Sequence, residues 1–261
     1  GIQGEALNKA LTDYGQQIRK SITNKSGFIS KQEMAVQQGF VAEAHHVGSF
    51  NVEAAARGLN NHRATRDVGQ VNHPVTDIRL TTPTESTDYQ VKFYKDGEKT
   101  SAALSPEKYD GIGKVVPSEQ LESVKSSARR QALRNQPTRP SVSRSNQDTA
   151  QNATDVLKSR DGKVSSTGLN RRGRGSSEEL VRESQKTDGG PDYRDKARVR
   201  GSFNMMQYRT AAKHGAIAGA VIESVAVLRE FLQDQSDVSP ETCLEAAQKI
   251  VGSAAKGAGY A

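Results

Sequence analysis

The sequence predicts an α/β (α+β) chain: a small mixed sheet flanked by helices, then a basic irregular segment and a C-terminal helical region. Three observations predict it. Leu7, Leu11, Tyr14, Ile18 and Ile22 recur at spacings of four, three, four and four, the stripe of an amphipathic helix. Thr76-Asp77-Ile78-Arg79-Leu80 and Tyr89-Gln90-Val91-Lys92-Phe93-Tyr94 alternate apolar with polar residues around the polar run 81–88, as two strands of a hairpin do. From residue 136 the composition shifts to Ser, Asn, Gln, Arg and Gly, which is poor material for a core.

Taken in order, residues 4–23 form the first helix and Gly27 breaks it. Ser30-Lys31-Gln32-Glu33 reads as a capping box, with Ile29 and Met34 as its hydrophobic staple, so a second helix is expected over 31–46. Asn51 caps a short helix over 52–57, which Gly58 ends. Residues 59–73 read as a polar loop. The hairpin follows. Ser105-Pro106-Glu107 starts a short helix, residues 112–116 a strand, and Pro117-Ser118 leads into a helix over 119–135. Within 136–202, small helices are expected at 148–159 and 177–186, and the rest is expected to drape over the core or a partner. Residues 203–234 read as a long helix in which Gly215 and Gly219 share a small-residue face suited to close helix packing. Ser239-Pro240-Glu241 starts a last helix to about Ala255, and the apolar Gly252–Gly259 ending suggests that the native chain continues. Four segments result: 1–29, 30–135, 136–202 and 203–261.

Only 34% of the 261 residues are hydrophobic, there is no tryptophan, and mean hydropathy is −0.72, so the core is thin. No apolar run is long enough for an ordinary membrane span. The lone Cys243 excludes an internal disulfide and a cysteine-built zinc site, which suits a cytoplasmic protein. Charge is uneven. Residues 125–209 carry 19 Lys and Arg against 9 Asp and Glu, while the remainder carries 18 against 21. Clustered arginine suits bidentate phosphate contacts with a salt-sensitive affinity. Arg129, Arg130, Arg134, Arg171, Arg172, Arg174, Arg198 and Arg200 are the candidate nucleic-acid contacts.

The hairpin carries the chemistry. Gln90 and Lys92 are two apart and share one face of their strand, with Val91 on the other. With Asp77 across the hairpin, that face holds a carboxylate, an amide oxygen and an ammonium. A hard divalent cation binds such oxygens, and a lysine beside it orients or deprotonates a water. His45 and His46 are adjacent, so a helix directs them about 100° apart and at most one can join such a site. His73 stands near Asp77. There is no His-Glu-x-x-His and no Walker loop; Gly111-Ile112-Gly113-Lys114 lacks the spacing.

An acidic residue entering one strand, Asp77, followed on the next by Gln90-Val91-Lys92, resembles the PD-(D/E)xK nuclease superfamily in a Gln-x-Lys variant. The resolvase-like and Mrr-like members add a glutamate from the preceding helix, which Glu43 matches. The order helix, two strands, helix, strand, helix over residues 30–134 agrees. Two departures stand out: Pro74 lies three residues before Asp77, and Gln90 replaces the commoner acid. The resemblance implies a restriction-endonuclease-like core that hydrolyses phosphodiester bonds of nucleic acid with Mg2+ or Mn2+. It implies direct metal ligation by Asp77, further oxygens from the Gln90 side chain and the Val91 carbonyl, a metal or proton contact from Glu43, and water positioning by Lys92. DNA is favoured over RNA, and phage defence, a mobile element or a toxin-like system is the setting expected by analogy. The C-terminal helices are expected to join a second copy or a partner subunit, with no membrane involved. Two other readings stay open: a non-catalytic nucleic-acid-binding or assembly subunit on a nuclease-like fold, and a membrane-active or helix-packing effector acting through the Gly-rich C-terminus.

Overall fold

The computed structural model describes residues 2–66, 68 and 75–213. The expectations for His73, Pro74, Cys243, the Gly215/Gly219 face, the last helix and assembly through it lie outside the described residues. The chain divides into two compact units, residues 1–196 and 197–261. The first is an α+β fold with a five-stranded mixed sheet.

Helix α1 (Ile2–Ser21) buries Leu7, Leu11, Tyr14 and Ile18 of the predicted stripe, and Ile22 is buried just past its end. Helix α2 (Met34–Ala56) packs against it and is buried on nearly every side, polar residues such as Gln38, His45 and His46 included. The capping box does not form, and the helix begins at Met34. Ser30 is held elsewhere: its N–H donates to Ile22 O at 2.8 Å beside a Thr23–Ile29 bridge. Gln37 Nε2 instead donates back to Ser30 O and Gln32 O, at 3.2 and 2.7 Å.

No break follows His46. Helix α2 runs through Gly48, where a Cβ would stand 2.7 Å from the Tyr14 ring, so glycine lets α1 approach. Asn51 does not cap a helix. Its Nδ2 donates to Ala64 O at 3.0 Å and its Oδ1 accepts from Ala64 N at 2.9 Å. That amide clamp secures strand β1 (Arg63–Thr65), where the sequence reads as loop.

Strands β2 (Ile78–Thr81) and β3 (Ser86–Val91) form the predicted hairpin around a shorter turn. Arg79 and Asp88 face each other across it, with Nε–Oδ1 at 2.7 Å and Nη2–Oδ2 at 2.9 Å, and this pair extends the ladder into the expected turn. Helix α3 (Gly97–Leu104) starts earlier than the Ser-Pro-Glu signal suggests, because the Asp96 side chain caps it through Lys99 N at 2.9 Å. Only a 3-10 turn, Glu107–Tyr109, follows that signal. Strand β4 (Gly113–Val115) lies parallel to β3, and a 3-10 turn at Ser118–Gln120 opens α4 (Leu121–Asn135).

The segment read as irregular from residue 136 instead completes the sheet. Helix α5 (Pro140–Asn152) leads to β5 (Ala153–Thr154), which pairs parallel with β4, giving the order β1-β2-β3-β4-β5. Small polar side chains allow this burial because backbone oxygens satisfy them. Ser143 Oγ donates to Ala132 O at 2.8 Å, and Thr149 Oγ donates to Leu104 O at 3.1 Å. Beneath them Leu104, Val116, Val124 and Ala153 pack with Leu121. Helix α6 (Ser177–Lys186) forms where predicted, capped by Ser176. Helix α7 (Lys196–Lys213) begins seven residues before the expected start at 203. Among the described residues no helix is long and apolar enough to cross a membrane.

Candidate active site

The candidate residues come from three elements: Glu43 from α2, Asp77 just ahead of β2, and Gln90, Val91 and Lys92 from β3 and its exit. Ile78 pairs with Tyr89, so the antiparallel register sets Asp77 opposite Gln90. Asp77 Oδ2 accepts a short hydrogen bond from Gln90 Nε2 and a second from Val91 N at 2.9 Å. In a strand a residue's N–H and C=O face the same edge, so the Val91 carbonyl lies on the Asp77 side as well. Gln90 Oε1 is buried with no hydrogen-bond partner among the described residues.

Glu43 reaches this place from a stretch of α2 whose neighbours Ala42 and Ala44 are buried. Its Oε2 accepts from Arg66 Nη2 at 2.8 Å and from Nε at 3.0 Å. Burial pushes the Glu43 carboxyl up to about 7, against the pull of Arg66 and Lys92 and with the added repulsion of Asp77. Asp77 is likewise raised by burial, against the Val91 N–H, the Lys92 and Arg66 charges and the Gln90 amide. Two carboxylates and two cations therefore act on one another here. Lys92 is half-buried, with its Nζ 6.0 Å from the centre of the Tyr109 ring.

This arrangement sets two carboxylates against two cations and has a spare buried oxygen among the described residues. Among the described residues no group of three His, Cys, Asp or Glu side chains gathers as metal ligands. The oxygens on offer are two carboxylates, the Gln90 amide and a strand carbonyl, a set that suits a hard cation such as magnesium or manganese. Arg66 is the member that the sequence did not indicate. It follows a three-residue strand inside a run read as polar loop, and no local pattern sets it apart from the other arginines.

His45 and His46 take no part in that set. His45 Nε2 donates to Thr167 O at 3.0 Å, which leaves Nδ1 to accept from Tyr14 OH at 2.8 Å. His46 Nδ1 pairs with Ser166 Oγ at 3.0 Å. Burial lowers His45 to about 4 and His46 well below its usual range. A histidine held neutral in the fold but free to protonate when unfolded stabilises the protein above pH 6.5, and the benefit is lost as pH falls towards 4. His45 alone accounts for about 3 kcal/mol. Glu43 has the opposite sign: its contribution is complete below about 4.5 and lost as pH rises through 7. Urea unfolding at pH 7 and near pH 4 should show a loss of stability on acidification, steeper in Glu43→Gln. Stability that is flat or rising towards pH 4 in that variant would contradict the neutral histidines.

The eight basic candidates divide by place. Arg129, Arg130 and Arg134 are exposed on α4. Arg172 and Arg174 are exposed in the loop before α6, whereas Arg171 is partly buried there. Arg171 N donates to Glu119 Oε1 at 2.8 Å, its carbonyl accepts from Gln38 Nε2 at 3.0 Å, and its Nε is buried without a partner among the described residues. It thus ties the loop to α2. Gln38 precedes Glu43 by five residues, about 140° round the helix, so that loop covers a different face from the candidate site. Arg198 and Arg200 are exposed on α7. No family model, curated protein or solved structure matches this chain.

Proposed function

We propose that this chain is a metal-dependent nuclease that hydrolyses phosphodiester bonds, with DNA the favoured substrate. The observation that carries the reading is Gln90 Oε1, buried without a hydrogen-bond partner among the described residues while its amide bonds Asp77, one of two interacting carboxylates whose charges burial disfavours. Such a group costs stability unless a cation completes it. Asp77, Gln90 Oε1, the Val91 carbonyl and Glu43 would hold Mg2+ or Mn2+. The ion, when bound, supplies Lewis-acid polarisation of the scissile phosphate and of the attacking water.

The chain's own residues do the rest. Lys92 positions the water and offsets charge that builds on the phosphoryl oxygens. Water oxygen bonds to phosphorus, the P–O bond breaks with its electron pair going to the sugar oxygen, which takes up a proton from solvent to leave as a hydroxyl, and the attacking water's proton passes to a base. Glu43, with a carboxyl near 7 in the metal-free site, would take that proton at neutral pH if it holds the ion through a water and not directly. Arg66 holds Glu43 in place and adds positive charge next to the phosphate.

Metal affinity carries a sign that can be checked by calorimetry. The ion competes with the Glu43 proton, so Mn2+ affinity should rise with pH and level off above about 7. Gln90→Glu supplies the missing charge and should tighten Mn2+ binding; Gln90→Ala should weaken it. Affinity indifferent to both substitutions and to pH would remove this residue set from consideration.

A further inference from the structure

A cavity of about 950 Å3 opens between α3, α4 and α5, away from the carboxylates. Lys99, Arg130, Arg134 and Arg139 line it, against only two acids, Glu98 and Glu107. Elsewhere in this unit Arg57, Arg66, Arg79, Arg182 and Arg194 stand against carboxylates, while Arg129 and Arg144, like the groove's Arg134 and Arg139, show no ion pair among the described residues. Here only Arg130 has such a partner, the exposed Glu98 at 3.3 Å. Arg134 and Arg139 have no ion-pair partner among the described residues, and both are exposed. Arg130 and Arg134 are four apart on one helix, a spacing at which like charges repel. The fold keeps these cations together and leaves their repulsion for an external anion to relieve.

We infer that this groove binds the phosphodiester backbone of the nucleic acid presented to the active site. The inference rests on the nuclease reading for its substrate. Apart from Ala102, Pro106 and Val142, every lining side chain is charged, hydroxyl or amide. Guanidinium and hydroxyl donors suit phosphate oxygens. An acidic protein partner would instead need apolar anchors, and the lining has no aromatic side chain and only the single exposed large aliphatic Val142 to meet them. The lining part of α4, residues 127–135, spans about 12 Å, room for successive phosphates. One 3-10 turn, Glu107–Tyr109, runs between the groove and the site. Glu107 lines the groove, and two residues on the Tyr109 ring stands 6.0 Å from the Lys92 ammonium. The phosphate contacts expected of Arg171 thus fall to Arg134 and Arg139.

The test is a salt titration of binding to a short fluorescent DNA duplex, in EDTA, using the full chain. Arg134→Gln with Arg139→Gln should weaken binding and flatten log K against log salt by about two, one for each phosphate left without its arginine. Arg172→Gln with Arg174→Gln should change the slope less. An unaltered slope in the groove variant, with its circular dichroism melt intact, overturns the inference, as does wild type failing to bind the duplex. Polyglutamate displacing the duplex as well as competing DNA would also overturn it and point to an acidic protein. A slope that falls in a protein that cuts nothing with Mg2+ keeps the groove and rejects the nuclease.

Discussion

Asp148→Ala is expected to destabilise the first unit by about 3–5 kcal/mol in urea unfolding. The reason is Lys114, on β4, whose side chain is fully buried. Its ammonium donates to Asp148 Oδ2 at 2.5 Å and to Thr149 Oγ at 2.9 Å, both on α5. Deleting Asp148 leaves that charge in the interior with one neutral acceptor. It also frees Gly111 N and Asn152 Nδ2, which bond Asp148 Oδ1 at 3.0 and 2.8 Å. Lys114→Met removes the charge itself and should cost much less, since buried ion pairs gain little over a well-packed apolar side chain. Combining Lys114→Met with Asp148→Ala should recover most of the loss. Equal losses from both single variants, with no recovery in the pair, would show that packing rather than the charge decides.

That ion pair shows why the second half of the unit was hard to read. Residues 136–152 have almost no apolar periodicity, so composition alone suggests an irregular segment. Helix α5 is held instead by Lys114–Asp148, Ser143–Ala132 and Thr149–Leu104, contacts between residues far apart in sequence. Strand β5 has two residues and forms only because β4 is already there. Where burial and periodicity coincide, as in α1, the sequence was sufficient.

Asp77→Asn should lower single-turnover cleavage of DNA by about 10³-fold at saturating substrate, a loss of the size seen when one electrostatic stabiliser is removed. Its melting temperature should stay the same or rise. Asparagine keeps an oxygen for Val91 N–H, and it deletes a charge that burial already disfavours. The combination is diagnostic, because a merely structural Asp77 would lose stability along with activity. Unchanged cleavage would exclude Asp77 from the chemistry.

Much of the candidate site was legible. Strand parity set Gln90 and Lys92 together, and the hairpin register brings Asp77 to them. Glu43 was reached through the resemblance, not through spacing. Arg66 and the orphaned Gln90 Oε1 were not accessible. The first depends on the Asn51 clamp that fixes β1, and the second on which amide atom meets Asp77. Neither leaves a local pattern in sequence.

The most direct measurement is single-turnover cleavage of duplex DNA by wild type, in Mg2+ and in EDTA, with Lys92→Ala purified in parallel to exclude a contaminating nuclease. The account predicts cleavage by wild type in Mg2+, none in EDTA, and none by Lys92→Ala in either. Cleavage that persists in EDTA, or equal cleavage by Lys92→Ala, would contradict it.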